Sequence, residues 1–192
     1  MNTRVAVAVV ASLIALPVRA DETYVLDPVH SQPRFMTRHL GFTTQLGGFV
    51  KSSAKATIDR EAKKGTVDVT IDAASVTTHD ATRLDAVVKG EKFLNVEKYP
   101  TITFTSNDFR FNGDTLAGVN GQLTMLGVTK PVLFKVENFR CGAHPLNKKP
   151  MCGGEATTVI KRSDFGMTAG LPYAPADEVT VTVPIEAYQV QP

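Results

Sequence analysis

Apolar and polar residues alternate along most of this chain. The alternation is most regular in residues 66–72 and 178–190. One face of these two segments carries only aliphatic side chains: Val67, Val69, Ile71, Val179, Val181, Val183 and Ile185. Alternation with a period of two over such lengths predicts strands with one buried face.

Weaker alternation of the same kind marks the other predicted strands. They cover residues 23–26, 49–58, 101–106, 115–125, 132–139 and 155–161. The connections are short, and Asn112-Gly113 is typical of a tight turn between antiparallel strands. About eight such strands predict an all-β antiparallel fold, either a sandwich or a closed barrel. A barrel of about eight strands is the smallest that can hold one small ligand.

One segment follows a helical pattern instead. Leu84 and Val88 recur at helical spacing within the segment from Ala81 to Phe93. Asp80 is in position to cap the N-terminus of this helix. The sequence therefore predicts one α-helix, inserted midway through the strands from Ala81 to Phe93.

The N-terminus has the pattern of a secretory signal peptide. Arg4 supplies a positive charge, residues 5–16 are apolar, and a small-residue cleavage pattern ends at Ala20. The apolar run is short for a membrane span. We therefore expect residues 1–20 to be removed and residues 21–192 to form a single domain, located in the periplasm or secreted.

The expected mature chain has a balanced charge. The full sequence has 21 Lys and Arg residues against 19 Asp and Glu residues. Arg4 and Arg19 belong to the expected signal peptide, which leaves 19 of each sign. A near-neutral domain offers no bulk charge for binding nucleic acid, so we expect no nucleic-acid partner.

The chain has two cysteines, Cys141 and Cys152. In an exported protein an even number of cysteines predicts a disulfide, which here would close a short turn between two strands. The alternative is a metal site that also uses His144, but such a site needs more ligands than lie nearby. We favour the disulfide and predict no metal site.

The sequence lacks the motifs of the common enzyme classes. It contains no H-E-x-x-H, G-x-S-x-G, G-x-x-x-x-G-K-[ST] or C-x-x-C pattern. His30 and Ser31 are adjacent, and neighbouring side chains of a strand point to opposite faces, so they are poorly placed to act together. We therefore predict no catalytic residues and no enzymatic activity.

A scattered set of polar side chains could surround the polar head of a ligand. Arg and His at the mouth of an apolar barrel would bind a phosphate, hydroxyl or quinone group. Each side chain taken alone is better explained by a surface ion pair, and only the combination favours a head-group site. The candidates are His30, Arg38, His39, Asp80, Arg83, Asp85, Arg162 and Asp164.

Several blocks of the sequence resemble the YceI-like family of exported lipid-binding proteins. The blocks are residues 26–31 (LDPxHS), 38–42 (RHLGF), 69–76 (VTIDAASV), 93–104 (FLNVEKYPTITF), 123–132 (LTMLGVTKPV) and 162–167 (RSDFGM). Because the blocks follow one another from about residue 24 to residue 188, the resemblance covers nearly all of the expected mature chain.

The resemblance implies an extended, eight-stranded antiparallel, lipocalin-like barrel with a helix beside it. It also implies a long amphiphile in the lumen, such as a polyisoprenoid, an isoprenoid quinone or an acyl-chain lipid, and no other cofactor. The polar candidates named above become neighbours of the head group. The aromatic residues that would line the tunnel are Phe35, Phe42, Phe93, Phe104 and Phe165.

Three functions remain open on the sequence. The first is a periplasmic binding or carrier protein without catalysis, and the second is an enzyme acting on a prenyl lipid, with His30 or His39 as general base. The third is a structural or stress-response domain with a filled core. Pro184 implies an edge strand or a bulge. A homodimer and transient contact with a membrane are both compatible with this sequence.

Overall fold

A computed structural model describes residues 22–78, 80 and 83–190. The expected signal peptide, residues 1–20, lies outside these described residues. Within them, no helix combines the length and the apolar character that crossing a membrane requires.

The described residues form one antiparallel sheet of eleven strands. The strands are β1 (Glu22–Leu26), β2 (Arg34–His39), β3 (Thr43–Phe49), β4 (Ser52–Asp59), β5 (Lys64–Asp72), β6 (Val76–Thr77), β7 (Thr101–Asn112), β8 (Thr115–Met125), β9 (Val128–Ala143), β10 (Pro150–Lys161) and β11 (Glu178–Gln189). The helix α1 (Leu84–Lys89) and two 3-10 turns, Ala73–Ser75 and Arg162–Phe165, lie between strands.

Eight of these strands close the sheet into a barrel. Their order is β1-β4-β5-β7-β8-β9-β10-β11, and β11 pairs again with β1. The remaining strands lengthen the wall at one end, where β11 pairs with β2, β2 with β3, and β3 with β6. The structure confirms the predicted eight-stranded antiparallel barrel.

Some positions in the barrel are filled by two short strands in place of one long strand. β1 and β2 follow each other along β11, which pairs with β1 through Ala187 to Gln189 and with β2 through Val179 to Thr182. Pro28 lies in the interruption between them, and proline cannot donate a hydrogen bond to a neighbouring strand. β4 and β3 continue each other in the same way beside β1 and β2.

The side chain of Ser31 bridges this interruption. Ser31 is fully buried, and its hydroxyl accepts a hydrogen bond from the Glu186 N–H (2.8 Å) and donates one to the Glu186 carbonyl (3.0 Å). Pro184 lies in the same part of β11, between the residues paired with β2 and those paired with β1. β11 is therefore not an edge strand, because it has neighbours on both sides. Pro184 lies at a local gap in its pairing, between β1 and β2.

The predicted helix is too long. The segment from Ala81 to Phe93 contains only the short helix α1 (Leu84–Lys89), and Ala81 and Thr82 lie outside the described residues. Gly90 leaves the helical conformation at once (φ −69°, ψ 170°). Glycine is the poorest helix former after proline, which explains why the helical spacing does not continue to Phe93.

One end of the barrel, which we call the disulfide end, is joined by short turns at residues 60–63, 113–114 and 144–149. Cys141 on β9 and Cys152 on β10 are directly opposed and form a disulfide (Cα–Cα 4.0 Å). The structure thus confirms the predicted disulfide.

The other end, which we call the helix end, carries the long connections. Residues 78–100 include α1, and residues 162–177 form a loop between β10 and β11. The largest group of buried apolar side chains extends from the barrel wall to this end. It includes Val76, Leu94, Ile102, Phe104, Leu123, Phe134, Phe165 and Met167.

Candidate ligand-binding cavity

A cavity of about 610 Å³ occupies the lumen of the barrel. Side chains from alternate positions of the strands form its wall, because these positions face inward. Among them are Val67, Val69, Ile71, Val179, Val181, Val183 and Ile185. The regular alternation in the sequence therefore marks the lining of a cavity.

The disulfide end closes the cavity. Tyr24, Ile58, Cys152 and Ala187 line it there, and all four are buried. These residues also pack against one another as a separate apolar cluster. The cavity therefore has an apolar floor at the disulfide end.

The cavity opens at the helix end. Some of its lining residues are exposed to solvent and come from β2, β3 and the α1 region: Arg34, His39, Gln45, Leu46, Arg83 and Val87. We call the opening between these elements the mouth. A long ligand would place its tail toward the floor and its head at the mouth.

Three of the five predicted aromatic residues line the cavity: Phe35, Phe93 and Phe104. The Phe35 ring lies over Gly47 on the neighbouring strand, where a Cβ atom would clash with the ring. The other two predicted residues lie elsewhere. Phe42 is 84% exposed outside the barrel, and Phe165 is 2% exposed in the packed core at the helix end.

Arg162 is a buried cation in the cavity wall, and only 2% of it is exposed. Its guanidinium donates four hydrogen bonds to backbone carbonyls of the loop 162–177: Met167 (2.7 Å), Ala169 (2.8 Å), Pro175 (2.6 Å) and Ala176 (3.0 Å). Burial lowers the pKa of this guanidinium, and the charge of Asp177 opposes that shift. Arg162 therefore attaches the loop to the barrel.

The carboxylates near the mouth are held by other groups. Asp85 is 6% exposed and accepts hydrogen bonds from the Thr78 N–H (2.6 Å) and hydroxyl (2.7 Å), which lower its pKa. Asp177 accepts hydrogen bonds from the Ser163 N–H (2.9 Å) and hydroxyl (2.8 Å), which lower its pKa in the same way. Neither carboxylate lines the cavity.

Arg83 and Asp80 form a loose pair beside the mouth. The Arg83 Nε lies 3.9 Å from the Asp80 Oδ2, and 79% of the Arg83 side chain is exposed. Asp80 also accepts a hydrogen bond from the Arg83 N–H (3.2 Å), the kind of capping contact expected of it, although the residue that precedes the helix is Arg83. Of these two predicted residues, Arg83 lines the cavity and Asp80 does not.

Arg38 and His39 lie on opposite faces of β2. His39 lines the cavity. The Arg38 guanidinium instead donates hydrogen bonds to the Thr44 hydroxyl (3.1 Å) and to the carbonyls of Gly41 (2.6 Å) and Phe42 (3.2 Å). Arg38 therefore stabilises the hairpin between β2 and β3 and does not reach the lumen.

His30 lies on the outside of the barrel at the interruption between β1 and β2. Its Nδ1 is 3.1 Å from Asp27 Oδ2 and 3.8 Å from Glu186 Oε2. The hydrogen bond with Asp27 raises the pKa of His30 and lowers that of Asp27. Among the described residues, Asp27, His30 and Glu186 are the one group whose ligand atoms lie close enough together to hold a metal ion. None of these three residues lines the cavity, although the neighbouring Ser31 does.

The eight polar candidates therefore fall into two sets. His39, Arg83 and Arg162 line the cavity, whereas His30, Arg38, Asp80, Asp85 and Asp164 do not. Sequence reasoning missed the uncharged polar residues at the mouth, Thr37, Gln45 and Thr78. Thr37 could have been found, because alternation places it on the same face of β2 as His39.

Comparison with known proteins reveals clear relatives. The sequence profile of the YceI-like domain matches residues 24–187. Protein YceI of Salmonella arizonae is 36% identical over 161 residues, which cover 83% of this chain and 82% of that protein. Such agreement over most of both chains identifies a shared family.

Solved structures agree with the fold. BcnA of Burkholderia cenocepacia has a TM-score of 0.70 at 26% identity, covering 84% of this chain and 98% of the other. A polyisoprenoid binding domain from Saccharophagus degradans, implicated in plant cell wall breakdown, has a TM-score of 0.62 at 16% identity, covering 87% and 98%. At that identity the second likeness concerns the fold alone.

Proposed function

The chain belongs to the YceI-like family, and from this premise we propose that it binds a long amphiphilic lipid in the lumen of the barrel. The ligand would be a polyisoprenoid, an isoprenoid quinone or an acyl-chain lipid. The observation that carries the proposal is the apolar cavity of about 610 Å³, closed at one end and open at the other. This volume lies within the range of about 300–1,000 Å³ that is usual for small-molecule sites.

The hydrophobic effect supports a long tail. At roughly 30 Å³ per water molecule, an empty cavity of this size would hold about 20 waters, most of them against aliphatic and aromatic side chains. Each buried methylene contributes about 0.8 kcal/mol, so a tail of about 16 methylenes contributes roughly 13 kcal/mol. Association costs about 4–15 kcal/mol, which short tails would not offset. A third function, a structural domain with a filled core, is disfavoured by the same cavity.

Binding without catalysis fits the lining of the cavity. His30, one of the two candidate bases, lies outside the lumen. His39 lines the mouth, but none of the described lining residues is an Asp or Glu that could orient it, and Cys152 is in a disulfide. We therefore propose a binding or carrier protein that needs no cofactor apart from its lipid.

A carrier must collect its lipid from a membrane. Around the mouth, apolar side chains are exposed on the β2–β3 hairpin and on the loop 162–177: Leu40 (52%), Phe42 (84%), Leu46 (55%) and Tyr173 (75%). The backbone N–H of Ala176 donates to the Arg38 carbonyl (2.8 Å), which holds the loop beside the hairpin. We propose that this surface touches the membrane transiently while a lipid enters. The periplasm, between two membranes, is the location that this role implies.

Native mass spectrometry tests the central proposal. The protein would be purified from the exported fraction without detergent, and its bound material then extracted into organic solvent. We expect a discrete added mass that is extracted as a prenyl or acyl lipid. A bare polypeptide mass, unchanged after incubation with such lipids, would contradict lipid binding. The same spectra report whether the protein is a monomer or a homodimer.

A further inference from the structure

The charged side chains that line the cavity are all of one sign. Among the described residues, the lining includes Arg34, Arg83 and Arg162 but no Asp or Glu. The expected mature chain has equal numbers of basic and acidic residues. The excess of positive charge in the cavity lining is therefore local and does not reflect the composition of the whole protein.

Arg162 is the strongest part of this bias. Its charge is buried in the cavity wall, yet no carboxylate of the described residues lies within ion-pair distance of it. Its partners are neutral backbone carbonyls of the loop 162–177. The charge of Asp177 acts on Arg162 from beyond ion-pair distance, so the guanidinium has no carboxylate in direct contact. A buried cation without such a contact attracts an anion more strongly than a solvated cation does.

The surrounding groups place this charge at the mouth. The Arg162 Cζ is 6.0 Å from the centre of the Phe93 ring, which also lines the cavity. The Ala176 carbonyl accepts hydrogen bonds from both Arg162 Nε (3.0 Å) and the Thr37 hydroxyl (3.4 Å). Thr37 in turn lies on the same face of β2 as His39 at the rim. The buried charge is therefore at the helix end, on the same cavity that Arg83 lines, and away from the apolar floor.

No acidic side chain of the described residues lies in the lumen beside the positive charges of Arg83 and Arg162. Asp85 and Asp177 are held by Thr78 and Ser163 and do not line the cavity. Asp80 lies 3.9 Å from Arg83, a distance that leaves the exposed guanidinium able to meet another anion.

We propose that the bound amphiphile has an anionic head, a carboxylate or a phosphate, which lies at the mouth between Arg83 and the buried charge of Arg162 while its tail occupies the lumen. This inference rests on the proposed lipid binding and narrows the class of ligand. An amphiphile with an amine head would place a cation beside Arg162 and is disfavoured. An alcohol or quinone with the same tail binds through the tail alone and more weakly.

Ligands with matched tails test the inference. Displacement of the neutral probe N-phenyl-1-naphthylamine from the purified protein at low salt would be measured with oleate, oleyl alcohol and oleylamine. Farnesyl phosphate and farnesol form a second pair, which separates a phosphate from a carboxylate head. We expect the anionic member of at least one pair to bind about tenfold more tightly than its alcohol, as expected for one charge-assisted contact.

Variants of Arg83 sharpen the test without disturbing the loop that Arg162 holds. R83Q should lower the affinity of the preferred anion about tenfold and leave its alcohol unchanged. R83E should in addition improve the binding of oleylamine. R140Q and R140E make the same charge changes on an exposed residue at the disulfide end and should alter neither ligand.

The possible failures are distinguishable. If anion and alcohol bind equally in both pairs, or if oleylamine binds most tightly to the unmodified protein, the anionic head is wrong and lipid binding stands. If no amphiphile displaces the probe, both proposals are wrong. If the Arg140 variants lose as much affinity as the Arg83 variants, the preference is a general effect of protein charge and the assigned site is wrong.

Discussion

The disulfide end and the helix end of this barrel close the same set of strands by opposite means. At the disulfide end, short turns, the Cys141–Cys152 bond and a buried cluster around Tyr24 form the floor of the barrel within the described residues. At the helix end, short turns join β2 to β3 and β8 to β9, but the connections at residues 78–100 and 162–177 are long. Side chains such as Arg162 hold these long connections through hydrogen bonds to the backbone. A binding cavity with one opening needs a rigid floor and, at its mouth, contacts that can separate when a ligand enters.

The difference also separates stability from binding. Contacts at the floor join strands that are already paired, so they should contribute to stability with little effect on the ligand. Contacts at the mouth hold the loop and the hairpin around the opening, so they should affect both. The following experiments change one end at a time.

The largest effect is expected from Arg162→Ala. The substitution leaves four loop carbonyls without their donor and should lower the free energy of unfolding by about 3–5 kcal/mol. Urea unfolding measures this loss. A loss below about 1 kcal/mol would mean that the loop 162–177 is held by other contacts.

Replacing Cys141 by serine tests the other end, because it breaks the disulfide and leaves the cavity-lining Cys152 in place. The disulfide spans a sequence separation of 11 residues, and cross-links of this size contribute about 3 kcal/mol. We expect a lower free energy of unfolding but unchanged lipid affinity at temperatures where the protein stays folded. A parallel loss of affinity would show that the two ends are coupled.

Ala56→Phe should shorten the cavity from its floor. Ala56 lines the lumen and is directly opposite Tyr24 on β1. Displacing three to four methylenes at about 0.8 kcal/mol each should weaken an 18-carbon ligand about 100-fold. Decanoate, with a shorter tail, should be affected much less, as probe displacement would show. The control is Lys55→Phe, because Lys55 is exposed on the opposite face.

Membrane contact should distinguish Phe42 from Leu146. The two side chains are equally exposed, 84% and 86%, but Phe42 lies beside the mouth and Leu146 on the turn at the disulfide end. The chain has no tryptophan, so F42W and L146W are single reporters. With vesicles of phosphatidylcholine and phosphatidylglycerol, F42W emission should shift to the blue and L146W emission should not. Equal shifts would refute docking through the mouth.

The smallest effect is expected from His30→Gln, at the interruption between β1 and β2, and it should depend on pH. The raised pKa of His30 means that its attraction to Asp27 is present below the ordinary value of 6.5 and is lost as pH rises through the folded value. The lowered pKa of Asp27 means that its share is present above the ordinary value of 3.8 and is lost as pH falls. His30→Gln should therefore destabilise the protein more at pH 5 than at pH 8 in urea unfolding. An equal effect at both pH values would contradict the pairing.

The sequence predicted the wall of the barrel well because alternation reports a local property. Val179, Val181, Val183 and Ile185 face one way whatever the distant parts of the chain do. The same rule separated His39 from Arg38 but could not say which face of β2 would be inside, because Phe35 lies on one face and Met36 on the other. Both polar residues were therefore taken as ligand neighbours, and only His39 lines the cavity.

The helix end was less predictable because its contacts are not periodic. Four carbonyls between Met167 and Ala176 converge on Arg162, and no spacing in the sequence announces that convergence. Phe165 was predicted to line the tunnel because the family resemblance implies a lipid in the lumen, yet it packs in the core beside the 3-10 turn. Amino-acid type predicts burial, but it does not distinguish a packed interior from a cavity wall.

The bridge between Ser31 and Glu186 joins residues 155 positions apart. β11 is the neighbour of both β1 and β2, so the sheet stays an open ribbon until residues 178–189 have been synthesised. During that interval the apolar surface meant for the lumen is uncovered, and the edges of β1 and β10 can pair with other chains. Contacts so distant in sequence also slow folding. A chain truncated before β11 should therefore aggregate. Cleavage of the completed barrel in the turn at residues 144–149 should instead leave all of its strands in place.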